Sequence, residues 1–441
     1  MRDHEWHIGL CGTFDVQNFG DLLFPLVAEA ELSERLGDVK LRPFSYHTKT
    51  LPDWPYRVTS LTELPQMIAS LDAMLIGGGF IIRFDKEVAP GYKPPTQAIH
   101  HPTGYWLTPA LMALQHNIPV VWNAPGMHCN EIPVWADPLV EMAFKLSSYI
   151  AVRDEPSRTA LGRFTDRINL VSDTCFGIAR LIDSKPSIEF DRLRKAAGLT
   201  GPYIIVQAAL GLDSFLRLIR NHTQRFQGFR FLALPIGPVL GDDAAILGDD
   251  VPALVRLPDW PHPLLIAELI SQSEAVIGHS YHLAITALSS GVPVFTPQDL
   301  SIGKYSALRE FETIYHLSKD DELDPEWFAQ RVGRTAPSAA ARATLDQLAR
   351  HWDHIAGVIQ AGQVETAPTL DRFWQSLPGL LEVAATRRAD QVEAIDEAIL
   401  QSKIATEGVR NAAFHKSVSW KLASLLRFFE RRTREKNENG R

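Results

Sequence analysis

Residues 7–45, HIGLCGTFDVQNFGDLLFPLVAEAELSERLGDVKLRPFS, decide the fold. HIGLCG is a short apolar run, DLLFPLVAEAELSERLG is amphipathic at helical spacing, and VKLRPFS is a second short run, so the segment reads strand, helix, strand. A strand that returns through a helix lies parallel to its predecessor, and such units build a sheet covered on its faces by helices. The alternation continues through LDAMLIGGG, WLTPALMALQHN, IPVVWNAPG, WADPLVEMAFKLS, SYIAVRD, PSRTALGRF and INLVSD, to about residue 175. A second series runs from YIIVQAAL through FRFLALPIG, ALVRLP, HPLLIAELISQS and EAVIG to TIYHL. The polar stretch RLIDSKPSIEFDRLRKAAGLTG separates the two.

The fold class expected is therefore α/β, with two Rossmann-like domains, a central cleft between them, and C-terminal helices. The boundaries drawn are 1–180 for the first domain, 181–200 for a hinge, 201–320 for the second domain, 321–410 for a helical extension and 411–441 for a basic amphipathic tail. Leu345, Leu348, Trp352 and Ile355 carry the helical spacing of the extension. In the tail, Val418, Leu422, Leu425 and Phe429 share one helical face while Arg427, Arg431 and Arg432 supply charge. That pattern suits either a peripheral contact with an anionic membrane or a helix docked on the protein's own core.

Composition bounds the rest. With 441 residues, 45% of them apolar, the chain can bury a large core but exceeds the usual single-core size. A net charge of -8 argues against a nucleic-acid partner, which requires basic surface to neutralise phosphates. Cys11, Cys129 and Cys175 form no CxxC pair, so neither a disulfide scaffold nor a thiolate zinc site is expected. No run approaches the ~18 apolar residues of a spanning helix and the start lacks a signal-like stretch, so a cytoplasmic protein is expected.

Four segments can carry chemistry at the carboxyl edges of these sheets, where open α/β folds bind ligands. GTFDVQNFGDLL (12–23) places Asn18 and Asp21 between the first strand and a helix amino end, with a plain capped loop as the simpler reading. LIGGGFIIRFD (75–85) sets Gly77, Gly78 and Gly79 after a strand, where main-chain N–H groups can approach an anion, with Arg83 nearby. YIAVRDEPS (149–157) ends a strand with Arg153, which can grip a carboxylate or phosphate or pair with Asp154 or Glu155, and SDTC (172–175) places Asp173 at the next strand end. GHSYHLAITALSSGVPVF (278–295) puts Ser280 and His282 at a strand-to-helix junction, and the following loop brings Lys304. A capping or buried histidine is the plain alternative there. His279 and His282 lack a carboxylate that completes a ligand set, so no metal is assigned, and no GxSxG elbow supports a serine hydrolase.

Taken in order, NFGD, the strand with GGG, VRDEPS, SD some twenty residues on, the strand-histidine-helix segment and the later lysine resemble the polysaccharide pyruvyl transferase family over roughly residues 7–315. The resemblance implies two Rossmann-like domains similar to GT-B glycosyltransferases. It also implies transfer of the enolpyruvyl unit of phosphoenolpyruvate to a saccharide as a ketal, in surface or exopolysaccharide synthesis. Phosphoenolpyruvate is then the donor substrate and no cofactor is implied. Arg153, His282 and Lys304 match the family's donor-binding and catalytic positions. The partner is a saccharide acceptor, soluble or lipid-linked, which suits a location at the inner membrane face. One position departs: the family often has arginine two residues before the histidine, where this chain has Ser280. A GT-B-like glycosyltransferase using a nucleotide sugar and a noncatalytic glycan- or partner-binding member are the alternatives.

Overall fold

The computed structural model describes residues 4–84, 102–127, 132–182, 185–249, 251–317 and 323–386, with isolated positions between 390 and 401. The tail expected at 411–441, and Cys129, lie outside the described residues. The strands of the first sheet are β1 (Trp6–Cys11), β2 (Val39–Ser45), β3 (Thr59–Ser60), β4 (Ala73–Gly77), β5 (Val120–Asn123), β6 (Tyr149–Val152) and β7 (Ile168–Leu170). Those of the second are β8 (Tyr203–Gln207), β9 (Arg230–Leu234), β10 (Leu254–Arg256), β11 (Ala275–Ile277), β12 (Val294–Thr296) and β13 (Ile314–His316).

Both sheets are parallel throughout, as the strand-helix alternation requires. Their orders are β3-β2-β1-β4-β5-β6-β7 and β10-β9-β8-β11-β12-β13. In each, the direction of strand addition reverses once, between β1 and β4 and between β8 and β11. A reversal leaves the loops at those strand ends diverging to opposite faces, which opens a crevice. The central strands β4 and β8 are buried at every residue, as strands covered on both faces must be.

The chain divides into compact units Met1–Gln375 and Ser376–Arg441. The first holds both sheets. Its helix Ala339–Ala361 buries Leu348, Trp352 and Ile355, the stripe read from the sequence. This helix returns to the first sheet rather than staying with the second. His351 Nε2 lies 2.9 Å from Asn123 Oδ1 and its Nδ1 3.0 Å from Tyr149 Oη, which ties the helix to the ends of β5 and β6. Burial, with the neighbouring His354, pushes the His351 pKa down to about 3, so the ring is neutral in this lock. Arg35 donates to Asp353 at 2.8 Å, and Ser172 donates its amide to Gln347 at 3.1 Å, on the same seam. In the second unit, residues 376–386 are helical. No helix among the described residues is long and apolar enough to cross a membrane.

Candidate active site

The two reversal points open into one cavity of about 330 Å³, and residues from both sheets line it. Main-chain bonds cross between the halves: Phe19 donates its amide to the Ile236 carbonyl at 2.9 Å, and Val239 to the Gln17 carbonyl at 3.2 Å. From β1 come Asn18 and Asp21, from β4 Gly79, Phe80 and Arg83, from β6 Arg153, and from β11 His279, Ser280, Tyr281 and His282. Lys304 arrives on the turn Gly303–Leu308 after β12.

Arg153 follows directly on β6 and is 4% exposed. Its Nη1 donates to Asp173 Oδ2 at 2.8 Å, and its guanidinium stacks 4.0 Å from the Phe80 ring centre. Of the pairings the sequence left open, the one with Asp154 forms, buried rather than on the surface: Arg153 Nε lies 3.7 Å from Asp154 Oδ2. Asp154 caps the helix Glu155–Leu161 by accepting from the Ser157 amide at 2.8 Å, and Glu155 pairs with Arg158. Arg153 Nε and His282 Nε2 are buried without a hydrogen-bond partner. Such groups are costly to leave unsatisfied, and on a cavity wall they are available to a ligand.

His282 sits in the first turn of the helix Tyr281–Ser289, which Ser280 caps through its hydroxyl to the Leu283 amide at 3.4 Å. Its Nε2 is 3.7 Å from Asp173 Oδ2, too long for a hydrogen bond but close enough for charge to act. Burial lowers the His282 pKa, Arg153 and Lys304 add to this, and Asp173 opposes it. Burial alone would raise the Asp173 carboxyl, but His282, Arg153 and the Cys175 amide outweigh it and hold the group well below the usual carboxylate range. Asp173 thus stands ionised between the Arg153 cation and an imidazole whose proton affinity burial reduces. A Cβ at Gly20 would fall 1.8 Å from His282 Nδ1, so the glycine of NFGD makes room for the ring. Gly20→Ala is expected to lower the melting temperature by overpacking, which costs about 1–3 kcal/mol. Adding His282→Ala should remove most of that loss. A wild-type melting curve for the single variant would mean that the ring does not sit there.

The other candidates take distinct places. Asn18 is the cap residue of the helix Phe19–Leu36, yet its side chain donates to Asp21 Oδ2 at 2.9 Å instead of capping. Asp21 lines the cavity from the first turn. Burial, then the charges of Asp173 and Asp15, push its pKa up to about 7 against the pull of Arg153 and Lys304. Gly78 and Gly79 adopt left-handed φ values of 85° and 66°. Of the glycine triplet, Gly79 reaches the cavity, whereas Gly77 packs against Asn123 and Gly78 against Phe24. Arg83 is on the wall, and its carbonyl accepts from Thr103 and Trp106. Lys304 Nζ lies 5.4–5.6 Å from the ring centres of Phe80, Tyr281 and Tyr305. Burial, with the Arg153 charge, brings its pKa down to about 8.

Residues not singled out from the sequence complete the site. Gln207, the last residue of β8, accepts from the amides of His279 and Ser280 at 2.9 and 2.8 Å, and donates to Asp242 Oδ2 at 2.9 Å. Asp242 also receives the amides of Ile236 and Gly237, both at 3.0 Å. This relay fixes the histidine-bearing turn to the loop after β9. Gly126 admits Arg153, since a Cβ there would lie 2.7 Å from Nε. Asp173, Cys175 and His282 bring ligand-type atoms within 4.8 Å of one another. Burial holds the Cys175 thiol far above its ordinary pKa, and the adjacent Arg153 is already the counter-ion of Asp173, so the group disfavours a divalent cation.

The sequence profile of the polysaccharide pyruvyl transferase family matches residues 18–296. The chain belongs to that family. In this family member the matched span carries Asn18, Asp21, Arg153, Asp173 and His282, and Lys304 follows just beyond it. No curated protein matches the chain. Among solved structures, UDP-GlcNAc 2-epimerase from Methanocaldococcus jannaschii aligns over 80% of this chain and 99% of its own, with 12% identity and a TM-score of 0.51. The Neisseria meningitidis UDP-GlcNAc 2-epimerase bound to UDP-GlcNAc aligns over 78% and 99%, with 14% identity and a TM-score of 0.45. Identity at the level of the first shows fold alone, here the two-sheet GT-B arrangement.

Proposed function

We propose that this family member transfers the enolpyruvyl unit of phosphoenolpyruvate to a saccharide and closes it as a pyruvate ketal during surface-polysaccharide assembly. The observation that carries the reading is a cavity wall that brings Arg153, His282 and Lys304 together, with Arg153 Nε and His282 Nε2 buried and making no hydrogen bond among the described residues. Phosphoenolpyruvate bears a carboxylate and a phosphate, and fixed cations with N–H donors bind such an anion. In this reading His282 delivers a proton to the methylene carbon, the central carbon gains oxocarbenium character, and a sugar hydroxyl adds there. The C–O bond to phosphate then breaks and a second hydroxyl closes the ketal. The acceptor loses two protons, one balancing the methyl group formed and one leaving with phosphate. A bound anion raises the pKa of the imidazole beside it, which opposes the lowering by burial and readies the ring to carry a proton. Calorimetric titration with phosphoenolpyruvate and with UDP-GlcNAc tests the assignment: the first should bind, and tighter binding of the second would favour a nucleotide-sugar enzyme.

The pH dependence follows from Asp21 and Lys304. Raising pH through about 7 ionises Asp21 and adds a negative charge, and raising it through about 8 discharges Lys304. Both changes oppose an anion, so the dissociation constant for phosphoenolpyruvate should rise from pH 6.5 to 9. Asp21→Asn should flatten the part near pH 7. Titrations that give one constant across this range would contradict the charge assignment.

A further inference from the structure

Beside the cationic cavity lies a second of about 250 Å³, at the carboxyl ends of β9 and β10. The two share Asp242, and the short turn Pro238–Leu240 divides them, with Pro238 on one side and Val239 and Leu240 on the other. Gln17, from the loop after β1, closes the second cavity from the other half of the chain.

We infer that this second cavity is the acceptor subsite and takes a neutral saccharide residue, held against the ring of Trp260 and hydrogen-bonded by Asp243 and Asp259. This rests on the reading of the first cavity as the donor site. The Trp260 indole N–H is already satisfied by the Pro235 carbonyl at 2.9 Å, so it offers a ligand its ring carbons. An aromatic face of this kind matches the C–H face of a pyranose. Asp243 uses Oδ1 to accept from the Ala245 amide, and Asp259 is exposed. Carboxylates accept hydrogen bonds from sugar hydroxyls. No lysine or arginine is among the described residues that line this cavity, whereas Arg83, Arg153 and Lys304 line the first. The charge contrast sorts the substrates: the anionic donor is drawn to the first cavity, and a nucleoside diphosphate is repelled from the second. A glycan with one residue against Trp260 can present its neighbour's hydroxyls across the Pro238–Leu240 turn to the donor.

Calorimetry on the full chain tests this, with lactose, cellobiose and maltose as neutral probes and UDP as the anionic competitor. At least one disaccharide should bind, UDP should not displace it, and Trp260→Ala or Asp259→Asn should weaken it by roughly tenfold. Trp260→Phe keeps an aromatic face and should retain binding, which guards against a folding defect in the alanine variant. Absence of disaccharide binding, displacement by UDP, or affinity indifferent to both substitutions would overturn the subsite. A parallel titration with phosphoenolpyruvate separates the two readings. Its failure in the wild type alongside disaccharide binding at Trp260 contradicts the donor assignment, and its success without disaccharide binding contradicts the subsite alone.

Discussion

His282→Ala is expected to lower turnover by ~10²- to 10⁴-fold, the loss usual for a general acid, while the protein still folds and still binds donor. The structure explains why the fold should survive. Nε2 makes no hydrogen bond that the variant would break, and the ring meets Phe24 edge-on with centroids 5.7 Å apart. The ion pair of Arg153 with Asp173 persists without it. Turnover should therefore fall much further than donor affinity, because Arg153 and Lys304 are untouched. Near-wild-type turnover would remove His282 from the mechanism.

Arg153→Ala is expected to act twice. Loss of a charge-assisted bond should weaken phosphoenolpyruvate binding by about 1.5–3 kcal/mol. Asp173, 2% exposed, is also left without its counter-ion, and breaking a buried pair from one side typically costs about 3–5 kcal/mol of stability. The two effects separate in the double variant Arg153→Met with Asp173→Asn, which removes both charges. Its melting temperature should recover relative to Arg153→Ala, whereas donor affinity should not. Affinity that recovers together with stability would show that Arg153 matters only to the fold. Unchanged donor affinity in the single variant would remove it from the binding site.

Much of the architecture was legible because buried parallel strands and amphipathic helices write different periods into the chain. The strand-helix-strand reading of residues 7–45 corresponds to β1, the helix Phe19–Leu36 and β2. Strand ends are equally readable, which is why Arg153, Asp173 and His282 could be named one by one. Their pairing was not legible: Arg153 and Asp173 are 20 residues apart, and only the adjacency of β6 and β7 brings them together. Asp154, the nearer partner in sequence, caps a helix with one carboxylate oxygen and approaches Arg153 only to 3.7 Å with the other. Gln207 did leave a sign, a single amide ending the apolar run YIIVQ, but its partners His279, Ser280 and Asp242 are set by tertiary structure. The return of the helix Ala339–Ala361 to the first sheet was hidden for the same reason. His351 lies on the same helix face as Leu348 and Ile355, yet nothing local tells that face which sheet to choose.

The most direct test of the central claim is to incubate the full chain with phosphoenolpyruvate and a panel of soluble and lipid-linked saccharides. Released phosphate is measured together with the mass of the saccharide. The account predicts one phosphate for each saccharide that gains a pyruvate ketal, and none from His282→Ala. Sugar transfer from a nucleotide sugar, with phosphoenolpyruvate left intact, would contradict it.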